Sequence, residues 1–459
     1  MTLVKSSSGI RGTLGGKTGN GFTPIEVIRF SSGYVYWMKK NHNKNDRYFI
    51  ISGRDGRITS RLYQKLLISI FQSFGVDVID IGLSTTPTLG LTIINEKADG
   101  GIMLTASHNP KNWNGLKMFN SFGEFLTEKE FKDLFYFSDK KHNYYDFSSS
   151  KNLGTLFCKN NYIQNHIEKI ISLPIIDQNV IRKAKLKIVV DGINSTGGIA
   201  VPMLLKYLGV YTIKMYCNPN GNFSHNPEPN KNNLKDIIKK VPEVKANLGI
   251  SVDPDVDRVV FICENGDFFG EEYTLVSIAD YILKNEHGPV VTTLSSSHAL
   301  RDLSIKKGVS FYSTPVGEVN VIKKMKEVNA VIGGEGNGGI IYPKLRYGRD
   351  ALLGISLFLT QIAKLKISLS VLKKKYSNYF MSKRKIRYSV YANKIFYKKI
   401  RKKYKGKKMD FRDGIKIYLS ENEWIHIRKS KTENIIRICS ESFSRKKSDF
   451  LIKEILSEL

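Results

Sequence analysis

Asp253-Pro254-Asp255-Val256-Asp257-Arg258 is the stretch on which the reading turns. It lies between two short apolar runs, Leu248–Val252 and Val259–Cys263, which read as buried strands. Three carboxylates at alternate positions on so short a loop repel one another unless a cation sits among them. The stretch opens like an EF-hand loop, and Glu264 even falls at its last ligand position. The sixth position, however, should be glycine and is Arg258, and the flanks are strand-like, which excludes that motif. A solvated acidic turn and a divalent-cation site remain. Mg²⁺, which takes few carboxylates together with phosphate oxygens, is the expected guest.

Working outward, the same grammar repeats. Apolar runs at 48–52, 102–105, 187–190 and 330–332 each end in a glycine-rich or polar loop, with helix-like segments between them. Such alternation predicts α/β units with largely buried strands. One helix start is marked by Thr23 as N-cap, Pro24 at the first helical position and Glu26 closing a capping box. Segments 140–152 and 217–233, rich in Asn, Ser, Pro and Gly, read as linkers or inserts. After Leu369 the texture turns lysine-rich with few glycines, so a smaller α+β unit is expected there. The expected division is 1–150, 151–260, 261–369 and 370–459.

A chain of 459 residues is too long for one ordinary core. Its 72 Lys and Arg against 42 Asp and Glu leave a net charge of +30, which raises nucleic acid or an anionic ligand as partner. The segment from Val371 to Leu459 alone holds 26 basic and 9 acidic residues. It has no RNA-binding signature and no stripe of stacking aromatics, so a solvated lysine-rich surface is preferred to specific nucleic-acid binding. The four cysteines are far apart, without a C-x-x-C pair, which suits a reducing compartment and argues against a disulfide framework or zinc knuckle. No apolar run approaches the roughly 18–20 residues needed to span a bilayer. Met1–Gly9 has no apolar signal region, so a cytoplasmic location without membrane contact is expected.

Three further loops carry candidate chemistry. Thr105-Ala106-Ser107-His108-Asn109-Pro110 is followed by Asn114-Gly115 and Lys117. A serine after a buried strand, with His108 and Lys117 near, reads either as a nucleophile or as a hydrogen-bonded turn. Gly333-Gly334-Glu335-Gly336-Asn337-Gly338-Gly339 contains a formal G-x-G-x-x-G. A strand-like Ile-Ile-Tyr follows it, whereas a dinucleotide site needs a helix N-terminus for the pyrophosphate. Glu335 and Asn337 suit sugar hydroxyls instead, and a plain hairpin turn is the other reading. Arg428-Lys429-Ser430-Lys431-Thr432, with Arg437 beyond, is either a phosphate cradle or an exposed basic turn.

In this order the four loops resemble the α-D-phosphohexomutase superfamily over essentially the whole chain. Ser8-Gly9-Ile10-Arg11-Gly12 and Gly53-Arg54-Asp55 are also similar to that family. The run Thr314-Pro315-Val316-Gly317-Glu318-Val319-Asn320, with the glycine-rich loop after it, most resembles the archaeal-type phosphoglucosamine mutase branch.

The resemblance implies a four-domain protein, three related α/β domains plus a mobile C-terminal α+β domain, with one loop from each around a central cleft. It implies that Ser107 carries a phosphate and holds one Mg²⁺ with Asp253, Asp255 and Asp257. Arg11 and Arg258 would neutralise charge, and Lys117 or His108 would move the proton. Glu335 and Asn337 would bind the sugar, and Arg428, Ser430, Thr432 and Arg437 the non-reacting phosphate. The expected reaction converts glucosamine 6-phosphate to glucosamine 1-phosphate through a hexose 1,6-bisphosphate, the alternative being a glucose or mannose phosphate. A monomer or homodimer is expected. Two departures stand out. The family often has Ser-Gly-His in the sugar loop where this chain has Asn337-Gly338-Gly339, and two prolines and a glycine in the phosphate loop where it has Lys429, Lys431 and Asn434.

Overall fold

The computed structural model describes residues 2–42, 47–139, 146–387, 390–430 and 435–458. Three sheets with parallel centres are followed by a fourth that is wholly antiparallel. In the first, Phe49–Arg54 lies parallel between Gly100–Leu104 and Asp77–Leu83. Trp113–Phe119 and Gly9–Thr13 extend one side antiparallel. Leu156–Cys158 joins the other edge, so this sheet runs past residue 150, where the sequence placed a boundary.

The second sheet pairs Lys187–Asp191 in parallel with Tyr211–Met215 and with Leu248–Val252. Val259–Cys263 returns antiparallel beside Leu248–Val252 and crosses the expected boundary at 260. Every residue of these last two strands is buried, which is why they read as continuous apolar runs. In the third sheet Val290–Thr293 lies parallel to Phe311–Thr314 and Ile332–Glu335. Ile332–Glu335 and Gly339–Ile341 form an antiparallel hairpin, so the glycine-rich loop leads into a strand as its sequence indicated.

The helix Pro24–His42 starts where predicted, with half of the expected capping box. Glu26 accepts the Thr23 backbone N–H at 3.1 Å, but the Thr23 hydroxyl donates to the same carboxylate rather than capping an amide. A glutamate this buried takes the hydroxyl proton as its own partner.

The fourth sheet runs Phe380–Arg387, Ile435–Ser442, Trp424–Lys429, Ile415–Tyr418, Lys408–Asp410. Its central strands place isoleucines on one face and mostly polar groups on the other. Ile425, Ile427, Ile436 and Ile438 enter a core with Phe396, Ile400, Leu451 and Ile455 of the helices Val390–Lys403 and Arg445–Leu456. The opposite face carries Lys385, Arg437, Arg428, Lys383, His426 and Lys416. That polar face meets the third unit, where Ser295 lies 2.8 Å from His426 and Lys383 pairs with Glu271 and Glu272.

Candidate active site

The loops of interest leave the carboxyl ends of strands, where open α/β sheets hold ligands. The Ser107 loop follows Gly100–Leu104, the aspartate loop follows Leu248–Val252, and the Glu335 turn follows Ile332–Glu335.

Ser107 adopts a left-handed backbone, φ +48°, with its N–H on Thr105 Oγ1 at 2.8 Å. This unusual conformation for a non-glycine residue is held from below by Arg57. The Arg57 guanidinium, paired with Asp55 at 3.1 Å, donates to the carbonyls of Ser107, Asn109, Pro110 and Trp113. The Ser107 hydroxyl donates to Asp253 Oδ2 at 2.8 Å and lies 3.4 Å from His108 Nδ1.

Asp253, Asp255 and Asp257 are fully buried, and one oxygen from each lies within 4.8 Å of the others. Val256, a β-branched residue at φ +60°, makes the turn that brings them together. Asp253 Oδ1 accepts the N–H groups of Asp257 and Arg258, both at 3.1 Å. Asp255 Oδ2 accepts from the Thr86 hydroxyl and from Lys117 Nζ at 2.5 Å. Asp257 Oδ2 accepts from Lys117 at 2.7 Å and Arg349 at 2.8 Å. The other oxygen of Asp255 and of Asp257 is buried with no hydrogen-bond partner. Two orphaned carboxylate oxygens in a hard-oxygen cluster fit a cation such as Mg²⁺.

The electrostatics are polarised. Burial and the neighbouring carboxylates of Asp257 and Asp255 push Asp253 well above the usual range. Burial pushes Asp257 up as well, but Arg349, Lys117 and Arg258 outweigh it and hold it well below. Burial lowers Lys117 and the two aspartates raise it by more, so its net shift is upward. With both carboxylates on it, Lys117 is held as an ammonium. Burial, then Arg258, Arg11, Arg437 and Lys385, drive His108 well below its usual value. Arg11, buried and bonded to Asn109 Oδ1 at 3.3 Å, is lowered to about 10, chiefly by burial.

Glu335 is buried and held through one oxygen by Arg349 Nη1 at 2.8 Å. Asn337 Oδ1 accepts the Gly339 N–H at 3.2 Å. A Cβ at Gly336 would meet the Glu272 carboxylate at 1.8 Å, so any larger residue there has to displace that side chain. Arg428 and Arg437 stand directly opposite one another on neighbouring strands. The Ser430 N–H closes on the Ile435 carbonyl at 2.9 Å. Thr432 lies outside the described residues. The first three loops are thus joined, through Ser107 to Asp253, Lys117 to Asp255 and Asp257, and Arg349 between Asp257 and Glu335, while Asn337 bonds within its own turn. The cationic strands reach them electrostatically, Arg437 at His108 and Arg428 at Glu335.

Three residues that hold this arrangement were missed. Arg57 and Thr86 lack any local signal of their role. Arg349, in Gly348-Arg349-Asp350 before a strongly apolar helix, is a charge at the mouth of a buried element, and that was the available clue.

Comparison with known proteins agrees with the geometry. The models of phosphoglucomutase/phosphomannomutase α/β/α domains I, II and III match residues 3–143, 164–266 and 270–379. A phosphoglucomutase/phosphomannomutase of Thermococcus kodakarensis is 34% identical over 432 residues, covering 93% of this chain and 92% of the relative. A phosphoglucosamine/phosphogalactosamine mutase of Sulfurisphaera tokodaii is 31% identical, covering 99% and 98%. Among solved structures, a phosphoglucomutase/phosphomannomutase family protein from Burkholderia thailandensis shares the fold with TM-score 0.82 at 21% identity, covering 99% of this chain and 97% of its own.

Fold and sequence together define an isomerase that acts on phosphosugars. The chain belongs to the phosphoglucomutase/phosphomannomutase family of the α-D-phosphohexomutase superfamily. Among the described residues, no helix is long and apolar enough to cross a membrane.

Proposed function

We propose that the protein interconverts glucosamine 6-phosphate and glucosamine 1-phosphate, with Ser107 as the phosphate carrier and a hexose 1,6-bisphosphate as the bound intermediate. The observation that carries the reading is the Ser107 hydroxyl, 2.8 Å from Asp253 and backed by a buried aspartate cluster. In the forward half-reaction the Ser107 Oγ–P bond breaks and a bond forms from phosphorus to the free sugar hydroxyl. That hydroxyl loses its proton to the enzyme. After the bisphosphate turns over, its other phosphate returns to Ser107 and the proton goes back.

Asp253, Asp255, Asp257 and Ser107 would hold Mg²⁺, which neutralises charge on the transferring phosphoryl group. Arg11 and Arg258 add positive charge at the same end. Of the proton carriers within reach, His108, held neutral, can accept the hydroxyl proton directly, whereas Lys117, held charged, can accept it only after passing its own proton to Asp255 or Asp257. Glu335 accepts from sugar hydroxyls while Arg349 fixes its direction. Arg428, Ser430, Thr432 and Arg437 grip the phosphate that is not reacting.

The amino-sugar assignment is supported by the glycine-rich loop wording and by the Sulfurisphaera tokodaii relative. The Thermococcus kodakarensis relative favours glucose and mannose phosphates as the second reading. Turnover on glucosamine, glucose and mannose 6-phosphates, compared by kcat/KM, tests the choice. A preference for glucose or mannose phosphate overturns the amino-sugar assignment.

A further inference from the structure

The cationic row in the C-terminal sheet continues one strand beyond Arg437. Lys385 on Phe380–Arg387 stands directly opposite Arg437, which stands directly opposite Arg428. Three cationic side chains therefore lie side by side, on the face away from the isoleucine core. Like charges directly opposite destabilise a sheet unless an anion meets them. Carboxylates meet both ends of the row, and Asp413 Oδ2 lies 3.9 Å from Arg428 Nε. Glu228, from the second unit, places its carboxylate 3.7 Å from Lys385 Nζ.

The segment presenting Glu228 is a built turn. The Glu228 N–H donates to Asn226 Oδ1 at 3.1 Å, and its carbonyl accepts from Asn233 Nδ2 at 2.8 Å. The ion pair itself is weak by construction, since the Lys385 side chain is 46% exposed and that of Glu228 31%. A bound phosphate, with more charge and more acceptor oxygens, outcompetes such a carboxylate. Lys383, on the same strand and face, pairs at 3.2 Å with Glu272, whose carboxylate packs against Gly336 of the glycine-rich loop, which sets the row on the cleft side.

We propose that Lys385 is a further substrate-binding residue, which leaves Glu228 to grip the non-reacting phosphate of the hexose phosphate beside Arg428 and Arg437. Glu228 occupies Lys385 until the ligand arrives, and so competes with it. The inference rests on Arg428 being a phosphate ligand, as proposed above.

Steady-state kinetics in both directions, on whichever hexose phosphate the parent turns over, test this with opposite signs for the two partners. Lys385→Ala is expected to raise KM about tenfold for the 1- and the 6-phosphate, with kcat held within about threefold. Lys385→Arg restores most of the loss. Glu228→Gln lowers KM about two- to threefold, and has no effect in the Lys385→Ala background, because it acts only through Lys385. A Lys385→Ala enzyme with parental KM, beside an Arg428→Gln enzyme whose KM rises, overturns the role of Lys385 alone. Parental KM in Arg428→Gln overturns the phosphate-row reading itself. A rise in KM in Glu228→Gln equal to that in Lys385→Ala overturns the competition, and makes the pair a structural strap.

Discussion

Arg349 and Asp257 are joined at 2.8 Å, and the same guanidinium reaches Glu335 and Glu318, each also at 2.8 Å. One buried side chain thus ties the aspartate loop of the second unit to the Glu335 turn of the third. Breaking a buried ion pair by removing one partner typically costs about 3–5 kcal/mol, because charge is left uncompensated. Arg349→Met is therefore expected to lower unfolding free energy by about that amount in urea titration, with Arg349→Lys recovering part of it.

Ser107→Ala should abolish mutase turnover with the fold retained, since the hydroxyl makes one hydrogen bond to Asp253 and its backbone is held by Arg57. Assay with added hexose 1,6-bisphosphate, together with circular dichroism, checks both halves. Parental turnover in this variant would remove Ser107 from the mechanism.

Asn in place of Asp255 or Asp257 removes one charge from the cluster while keeping its shape. Mg²⁺ affinity and activity should fall together, and chelator-treated parent protein should be inactive until Mg²⁺ is restored. Calorimetric titration with Mg²⁺ gives the affinity independently of turnover. Sustained activity in the chelated protein contradicts the metal assignment.

Lys117→Met and Glu335→Gln separate proton transfer from sugar recognition. Losing a charged hydrogen-bond acceptor typically costs about 1.5–3 kcal/mol, so Glu335→Gln should lower kcat/KM roughly ten- to a hundredfold on both phosphates. Lys117→Met should cut kcat more strongly. It also frees Asp255 and Asp257 from their shared cation, so Mg²⁺ should bind this variant more tightly than the parent. A Lys117→Met enzyme as fast as the parent transfers the proton role to His108.

Acid should loosen the seat of the C-terminal unit. Burial, then Lys416 and Arg301, lowers His298 to about 2; burial outweighs the Asp413 carbonyl and lowers His426 to about 3, against an ordinary 6.5. Between those values and 6.5 the unfolded chain binds the protons and the folded chain does not, so stability is lost as pH falls below 6.5. Each histidine contributes about 1.4 kcal/mol per pH unit in that window. Glu272, raised to about 7 mainly by burial, has the opposite slope between 4.5 and 7 and offsets part of it. Urea titrations at successive pH values should show a shallower acid loss in His426→Gln than in the parent.

Local order was legible in the chain. Runs such as Leu248–Val252 and Val259–Cys263 show as strands because both faces are buried, and the lysine-rich texture after Leu369 marks a unit of different make-up. Crowded carboxylates at 253, 255 and 257 raise a cation site against a solvated turn because their repulsion is a property of spacing, and it is their burial in the fold that removes the solvated reading. What spacing does not contain is which distant charge answers which. Lys117 meets Asp255 and Asp257 from about 140 positions away, and its protonation follows from their distance, not from its neighbours in sequence. The same holds for Arg57 beneath Ser107, Arg349 between two loops, and Glu228 across from Lys385. Electrostatic partnership acts over a few ångströms of space, and only the packing of four sheets against one another brings those groups within that range.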